Sequence, residues 1–282
     1  MLDLNKHAHS HDSLQIVQRD YRYCVCKTFR TDLVRAQRNV DKQRKFQSLH
    51  TGTVRVSAAE VLNFEVYSDR AELLMPYVDG ITGYMFPVHA TRSVAHTLSS
   101  SLSTLLYSEL NESQEESIKT RIFIDKLEAV SAVTHDSQLK KIISSCYKVI
   151  ESLPDELSFP LGPCHGDLTL SNIIVDPLSG ITLIDFLQTF LETPLQDVAK
   201  LKQDFVYGWS FRKHSSSIGI KAEILCRYHY PSAITQIERM YPMQVKLLML
   251  MTLVRIAPYI KDEVTKQWLT NSLEKCMRDF LE

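Results

Sequence analysis

Cys164-His165-Gly166-Asp167-Leu168-Thr169-Leu170-Ser171-Asn172-Ile173-Ile174-Val175, then Asp176-Pro177-Leu178-Ser179-Gly180, then Ile181-Thr182-Leu183-Ile184-Asp185-Phe186, is the stretch that decides the fold. The run from Asn172 to Val175 is short, apolar and β-branched, which predicts a buried strand. Pro, Ser and Gly in 176–180 predict a hairpin turn, and Ile181 to Ile184 reads as the return strand. Antiparallel pairing then brings Asn172, at the start of one strand, beside Asp185, at the end of the other. Both can reach one metal ion, because Mg²⁺ prefers oxygen ligands and takes only one or two of them from protein. Asp167 lies in the loop ahead of the first strand, free to face an incoming hydroxyl, orient it and accept its proton. This is the layout that phosphoryl transfer needs: one carboxylate at the attacking hydroxyl, an amide and a second carboxylate holding the metal on nucleotide phosphates.

The bulk composition narrows the class. The chain has 282 residues with 44% hydrophobic and 23% charged content, as in an ordinary globule. A formal net charge of −1 argues against general affinity for nucleic acid. The longest apolar run, Leu247 to Val254 with Thr252 inside, is too short to span a bilayer. Met1 to Ser13 is polar and His-rich, unlike a signal peptide. Six scattered cysteines, with Cys24 and Cys26 on one strand face, fit free thiols in a reducing compartment, so the expected location is cytoplasmic. His7, His9 and His11 alternate and read as part of a tail.

The catalytic stretch resembles the aminoglycoside phosphotransferase and choline kinase superfamily. His165-Gly166-Asp167, four residues and Asn172 match its His-Gly-Asp…Asn pattern, and Ile184-Asp185-Phe186 matches its metal-binding strand. Pro194-Leu195-Gln196-Asp197-Val198-Ala199 is similar to the segment whose Asp braces the catalytic loop. The motif match covers residues 163–200. A narrower similarity is to bacterial members of surface-polysaccharide or sugar metabolism. The resemblance implies an α+β, protein-kinase-like bilobal fold: a small, mainly antiparallel β N-lobe with one main helix, at 1–78, and a larger, mostly helical C-lobe at 79–282. It also implies Asp167 as base, His165 orienting the loop, Asn172 and Asp185 on Mg²⁺, and Asp197 as structural.

The N-terminal part fits a kinase small lobe in some respects. Tyr21-Arg22-Tyr23-Cys24-Val25-Cys26-Lys27 alternates like a strand, and Lys27 is the candidate to grip the α- and β-phosphates. The next helix, Asp32 to Leu49, has no Glu, and Asp41 is the acid that could pair with Lys27. No Gly precedes Gly52, so there is no Gly-rich phosphate loop. Ser10 or Ser13 could contribute instead, and the choice between ATP and GTP stays open. Val61 to Tyr67 and Ala71 to Met75 are further strand candidates. Met75-Pro76-Tyr77-Val78-Asp79-Gly80 reads as the connector between lobes, with backbone near Tyr77 or Val78 as the adenine contact.

Helices are expected over 87–110, 115–133 and 137–153, then near 195–209, 220–240, 242–257 and 261–281, with a Pro-rich loop over 153–163. For the acceptor, Tyr207 and Trp209 could stack on a sugar ring or hold a quaternary ammonium, and Arg212 with Lys213 could take an anion. An aromatic core face accounts for the same residues. Arg255, within an apolar helix, is either exposed or a substrate anchor. The helix after Lys27 is basic, with Arg30, Arg35, Arg38, Lys42, Arg44 and Lys45 around it, which suits a solvated face or a polyanionic partner. The large lobe shows no dense acid cluster of the kind that suits a cationic antibiotic. The expected activity is ATP- and Mg²⁺-dependent transfer to a hydroxyl of a small metabolite, a sugar or sugar derivative. Two rivals are a catalytically inactive nucleotide-binding regulator or scaffold, and a kinase acting on a protein side chain.

Overall fold

The computed structural model describes residues 13–52, 54–89 and 91–281. His7, His9, His11 and Ser10 lie outside them. β1 (Ser13–Arg19) and β2 (Arg22–Phe29) form a hairpin closed by Asp20 and Tyr21, both at positive φ, the backbone that a two-residue turn between twisted strands demands. α1 (Leu33–Lys45) follows. Asp32 caps it by accepting the Arg35 N–H at 3.1 Å. Ala36, Val40 and Gln43 recur on its buried face. β3 (Leu49–Thr51), β4 (Val54–Ala58), β5 (Asn63–Val66) and β6 (Ala71–Pro76) complete the N-terminal part.

Two sheets divide these strands. The first has the order β1-β2-β6-β5 and is antiparallel throughout. With α1 it encloses a small core of Phe29, Ala36, Val40, Ala59, Ala71, Leu73 and Met75. The second contains β7 (Ile81–Thr82) and the predicted hairpin, β10 (Ile173–Asp176) and β11 (Gly180–Leu183), in the order β3-β4-β11-β10-β7. The hairpin register pairs Ile173 with Leu183 and Asp176 with Gly180. β4 runs parallel to β11, and Val56 is fully buried in the larger core. Gly180 makes this close approach possible: a Cβ there would lie 1.8 Å from the Arg55 carbonyl oxygen.

The remainder is mostly helical: α2 (Phe86–His89), α3 (Arg92–Asn111), α4 (Arg121–Val133), α5 (Ser137–Glu151), α6 (Pro194–Phe205), α7 (Ser216–Tyr228), α8 (Ser232–Met240), α9 (Pro242–Val254) and α10 (Glu263–Leu281). Three expectations are corrected. Gln114–Lys119 is a strand, β8, paired antiparallel with β9 (Glu156–Leu161), where a helix and a loop were expected. β8 itself is mostly exposed, so it is the backbone pairing with β9, anchored where Phe159 stacks on Phe123 at 5.6 Å, that overrides local helix preference. The helix expected over 87–110 breaks before Thr91, whose hydroxyl caps α3 by accepting the Val94 N–H at 3.2 Å. The stretch 220–240 splits at Pro231, which lacks the N–H to continue a helix. α9 is apolar on all sides and buried, as a central core helix must be. Among the described residues no single helix is long and apolar enough to cross a membrane.

Candidate active site

The hairpin positions its polar residues as the sequence suggests. The Asn172 backbone carbonyl accepts the Ile184 N–H at 3.0 Å, which sets Asn172 beside Asp185. Asn172 turns its amide nitrogen to Asp167, donating to the backbone oxygen at 2.8 Å and to Oδ2 at 3.1 Å. Its side-chain oxygen therefore points away from Asp167. Asp185 sits at φ 61°, a left-handed conformation uncommon for a non-glycine residue and typical of functional sites.

The loop carrying Asp167 is held from below. Asp197, fully buried in the first turn of α6, accepts the N–H groups of His165 and, at 2.7 Å, Gly166. Gly166 has φ 88°, and a Cβ there would meet the Leu187 carbonyl oxygen at 2.0 Å. The His165 Nε2 is 2.8 Å from the Ile184 carbonyl, so this nitrogen carries the proton, and Nδ1 accepts the Asp167 N–H at 3.2 Å. Burial lowers the His165 pKa, against the pull of Asp197 and Asp167, so the ring is a neutral strut linking the loop to the end of β11. It also packs on Phe186 at 4.3 Å.

Lys27 on β2 reaches Asp185 Oδ1 at 2.9 Å. Asp41 is a correction: it accepts from Gln37 at 2.9 Å and pairs with Arg44 at 3.6 Å on the outer face of α1. The stripe of α1 that faces the catalytic loop carries Asn39 and Lys42 instead. Asn39 accepts the Gln188 N–H at 2.8 Å. Lys42 donates to Glu192 at 2.5 Å and to the Leu187 carbonyl at 2.9 Å. Burial would lower the Lys42 pKa, but Cys164, Glu192 and Asp197 outweigh it and hold the ammonium charged. The helix is thus tied to the segment after Asp185 by a lysine, where a Lys–acid pair across the small lobe was expected.

Three further residues were missed. Lys200, one turn after Asp197, pairs with Asp167 Oδ1 at 2.9 Å. Burial pushes the Asp167 carboxyl up, but Lys200, with His165 and Arg255 adding to it, keeps it below the usual carboxylate range. Asp204 accepts the Leu170 N–H at 2.6 Å and the Ser210 N–H at 2.8 Å, pinning the turn before Asn172. Glu109 on α3 is buried, and burial, then the neighbouring Asp197, raises its pKa well above the usual value. It therefore favours its neutral form beside Asp197, whose own carboxyl pKa burial also raises, against the pull of His165, Lys42 and the two N–H groups it accepts. The spacing Asp197-Lys200-Asp204 places Lys200 and Asp204 on turns adjoining Asp197 in one helix, the one signal that could have revealed these two; Glu109, on α3, had no such signal.

The other named residues are placed as follows. Ser13 opens β1, opposite Thr28 and one position from the Leu14–Lys27 pair. The Tyr77 N–H is taken by the Tyr23 carbonyl at 2.9 Å, which removes that amide as an adenine donor, and Val78 packs on the small core. Tyr207, Trp209 and Arg212 are engaged with α10 and its approach. Trp209 packs on Trp268 at 5.0 Å, Arg212 lies 3.5 Å over the Trp209 ring, and the Tyr207 carbonyl accepts the Trp268 N–H at 2.5 Å. Arg255, the C-cap of α9, is half-buried and lies where it acts on Asp167.

A model of the family described as "Phosphotransferase enzyme family" matches residues 6–214. Among solved structures, the chain is similar to aminoglycoside phosphotransferase APH(4)-Ia, at 12% identity and a TM-score of 0.58, over 96% of this chain and 90% of that one. A thermostable mutant of the same protein, in ternary complex with AMP-PNP and hygromycin B, aligns with a TM-score of 0.57 at 14% identity, over 95% and 93% of the two chains. These likenesses concern the fold, and they bear out the kinase-like α+β architecture. A short stretch of 67 residues, 24% of this chain, is 42% identical to the serine/threonine-protein kinase Haspin homolog ALK1 of Saccharomyces cerevisiae, and spans 8% of that protein.

Proposed function

Because the chain belongs to the phosphotransferase enzyme family, we propose that it moves the γ-phosphate of ATP to a hydroxyl of a small metabolite, a sugar or sugar derivative, with Mg²⁺. The observation that carries this reading is the convergence of Asp167, Asn172 and Asp185 at one end of the β10–β11 hairpin, with Lys27 on Asp185. Asp167 orients the acceptor hydroxyl and takes its proton. Its depressed pKa keeps it ionised at neutral pH, and Lys200 stabilises the same charge. Lys27 would balance phosphate charge, and backbone at or after Val78 would meet the base.

The donor set fits Mg²⁺. The Asn172 side-chain oxygen and the Asp185 carboxylate are hard oxygen donors on adjoining strand ends, and both would hold the ion. When bound, it neutralises phosphate charge. The AMP-PNP complex of the similar structure supports the use of a nucleotide. A cytoplasmic setting suits the free thiols.

The test is Mg²⁺-dependent thermal stabilisation by ATP and by GTP, in the wild type and in Asp185→Ala. Nucleotide at about a hundred times its Kd adds roughly 2.7 kcal/mol to the wild type. We expect that gain only with Mg²⁺ and only with Asp185 present. No stabilisation of the wild type by either nucleotide would overturn the reading and favour a non-catalytic protein.

A further inference from the structure

The positive charges around the hairpin fall into two groups. Lys27, Lys42 and Lys200 are each neutralised, by Asp185, Glu192 and Asp167. Arg35, Lys126 and Arg255 are not: among the described residues none of the three has a carboxylate within ion-pair distance. Arg255 and Lys126 come from elements that pack on each other, α9 and α4, and Arg35 comes from α1.

Arg255 caps α9, the helix that packs along α6 and its Lys200. Lys126 lies on α4, which packs on α9 and on the turn Ala257–Tyr259 just beyond Arg255. Arg35 stands one turn before Asn39 and two before Lys42, on the stripe of α1 whose other members reach Gln188 and Leu187. Arg255 and Lys126 are both partly buried. Arg255 is acted on by Asp167 and Arg35, and Lys126 by Arg255 and Arg35, so the three share one field. Arg35 is exposed; like charges sharing one field repel one another, and burial lowers the pKa of both Lys126 and Arg255. Asp167 offsets part of this at Arg255, but among the described residues no carboxylate forms an ion pair with any of the three, and the group best placed to do so is an anion brought in beside the base.

Resting on the phosphotransferase reading above, we infer that the acceptor is an anionic hydroxylated metabolite, whose phosphate or carboxylate docks on Arg255, Lys126 and Arg35 while its hydroxyl faces Asp167. A planar guanidinium recognises either group through paired hydrogen bonds, and Arg255 is the member nearest the reacting hydroxyl in this arrangement. The inference separates this chain from an enzyme for cationic acceptors, which these charges would repel.

Two arms test it. In the first, inorganic phosphate and, separately, acetate are titrated at constant ionic strength while thermal unfolding is followed in the wild type, Arg255→Gln and Lys126→Gln. We expect saturable stabilisation of the wild type by at least one anion, weakened about 10- to 100-fold in apparent Kd by either substitution. No stabilisation, or equal stabilisation of all three proteins, overturns the site. In the second, labelled γ-phosphate transfer is measured into equal mixtures of neutral sugars, amino sugars, sugar acids and sugar phosphates. Label in the sugar acids or sugar phosphates, lost preferentially through KM in Arg255→Gln, supports the inference and tells carboxylate from phosphate. Label confined to neutral or amino sugars overturns it. An Arg255→Gln effect on nucleotide KM alone would also overturn it, by assigning the cluster to ATP. Wild type that binds the anion but no Mg²⁺-nucleotide refutes the kinase reading instead, so the two failures are distinguishable.

Discussion

Replacing Lys200 with Met removes the one cation that, among the described residues, forms an ion pair with Asp167, and leaves the carboxylate in its partly buried loop. The two charges lie 2.9 Å apart, with 15% and 32% of their side-chain surfaces exposed. At an effective dielectric of about 20 such a pair attracts by roughly 6 kcal/mol. Water reaches about a third of Asp167, and a charged hydrogen bond in such a setting is worth about 1.5–3 kcal/mol. That corresponds to about one to two pH units in the carboxyl pKa. Burial, already the largest influence on this group, would then act against His165 and Arg255 alone. The direction is upward, because losing a cation favours the neutral acid. The assay is kcat/KM against pH from about 2.5 to 8, with folding checked at each pH by circular dichroism. The acid limb, which in the wild type lies below the ordinary carboxylate value of about 3.9, should move up by about one to two pH units. Lys200→Arg should restore it. A folded Lys200→Met enzyme with an unmoved acid limb would refute both the role of Lys200 and the identification of Asp167 as the titrating base.

Other outcomes follow from the same geometry. Glu109 holds a proton in the native state that the unfolded chain releases above about pH 4.3. Stability should therefore be greatest below that pH and fall, by up to about 1.4 kcal/mol per pH unit, as pH rises toward the raised native pKa. Glu109→Gln should flatten this slope in urea unfolding followed from pH 4 to 8, and an unchanged slope would show that Glu109 is not the group. Asp197→Ala strands the buried N–H groups of His165 and Gly166, and should lower stability by about 3–5 kcal/mol, read as a lower denaturant midpoint. Asp41→Ala should change stability by less than about 1 kcal/mol, since its ion pair is exposed. It should also leave nucleotide affinity within about twofold, whereas a large loss would return Asp41 to the phosphate site.

The sequence by itself determined the hairpin and what it carries. An apolar β-branched run, a Pro-Ser-Gly turn and a second run can form little else, so Asn172 and Asp185 had to become neighbours. The order His165-Gly166-Asp167…Asn172…Asp185…Asp197 also sufficed to identify the family. What the sequence left undetermined are the partners chosen across long separations. Lys27 was legible as a strand lysine, but its carboxylate is Asp185 rather than Asp41, because α1 turns Asn39 and Lys42 toward the catalytic loop and Asp41 outward. Residues 114–119 became a strand only because residues 156–161 arrive beside them. Tyr207, Trp209 and Arg212 looked equally suited to ligand or core, and packing against α10 engaged them. Local periodicity fixes which face of an element is apolar, but which distant charge meets which depends on how helices rotate and cross. Only the tertiary structure decided that Lys200 would neutralise Asp167, and that Arg35, Lys126 and Arg255 would share one field with no carboxylate in ion-pair distance among the described residues.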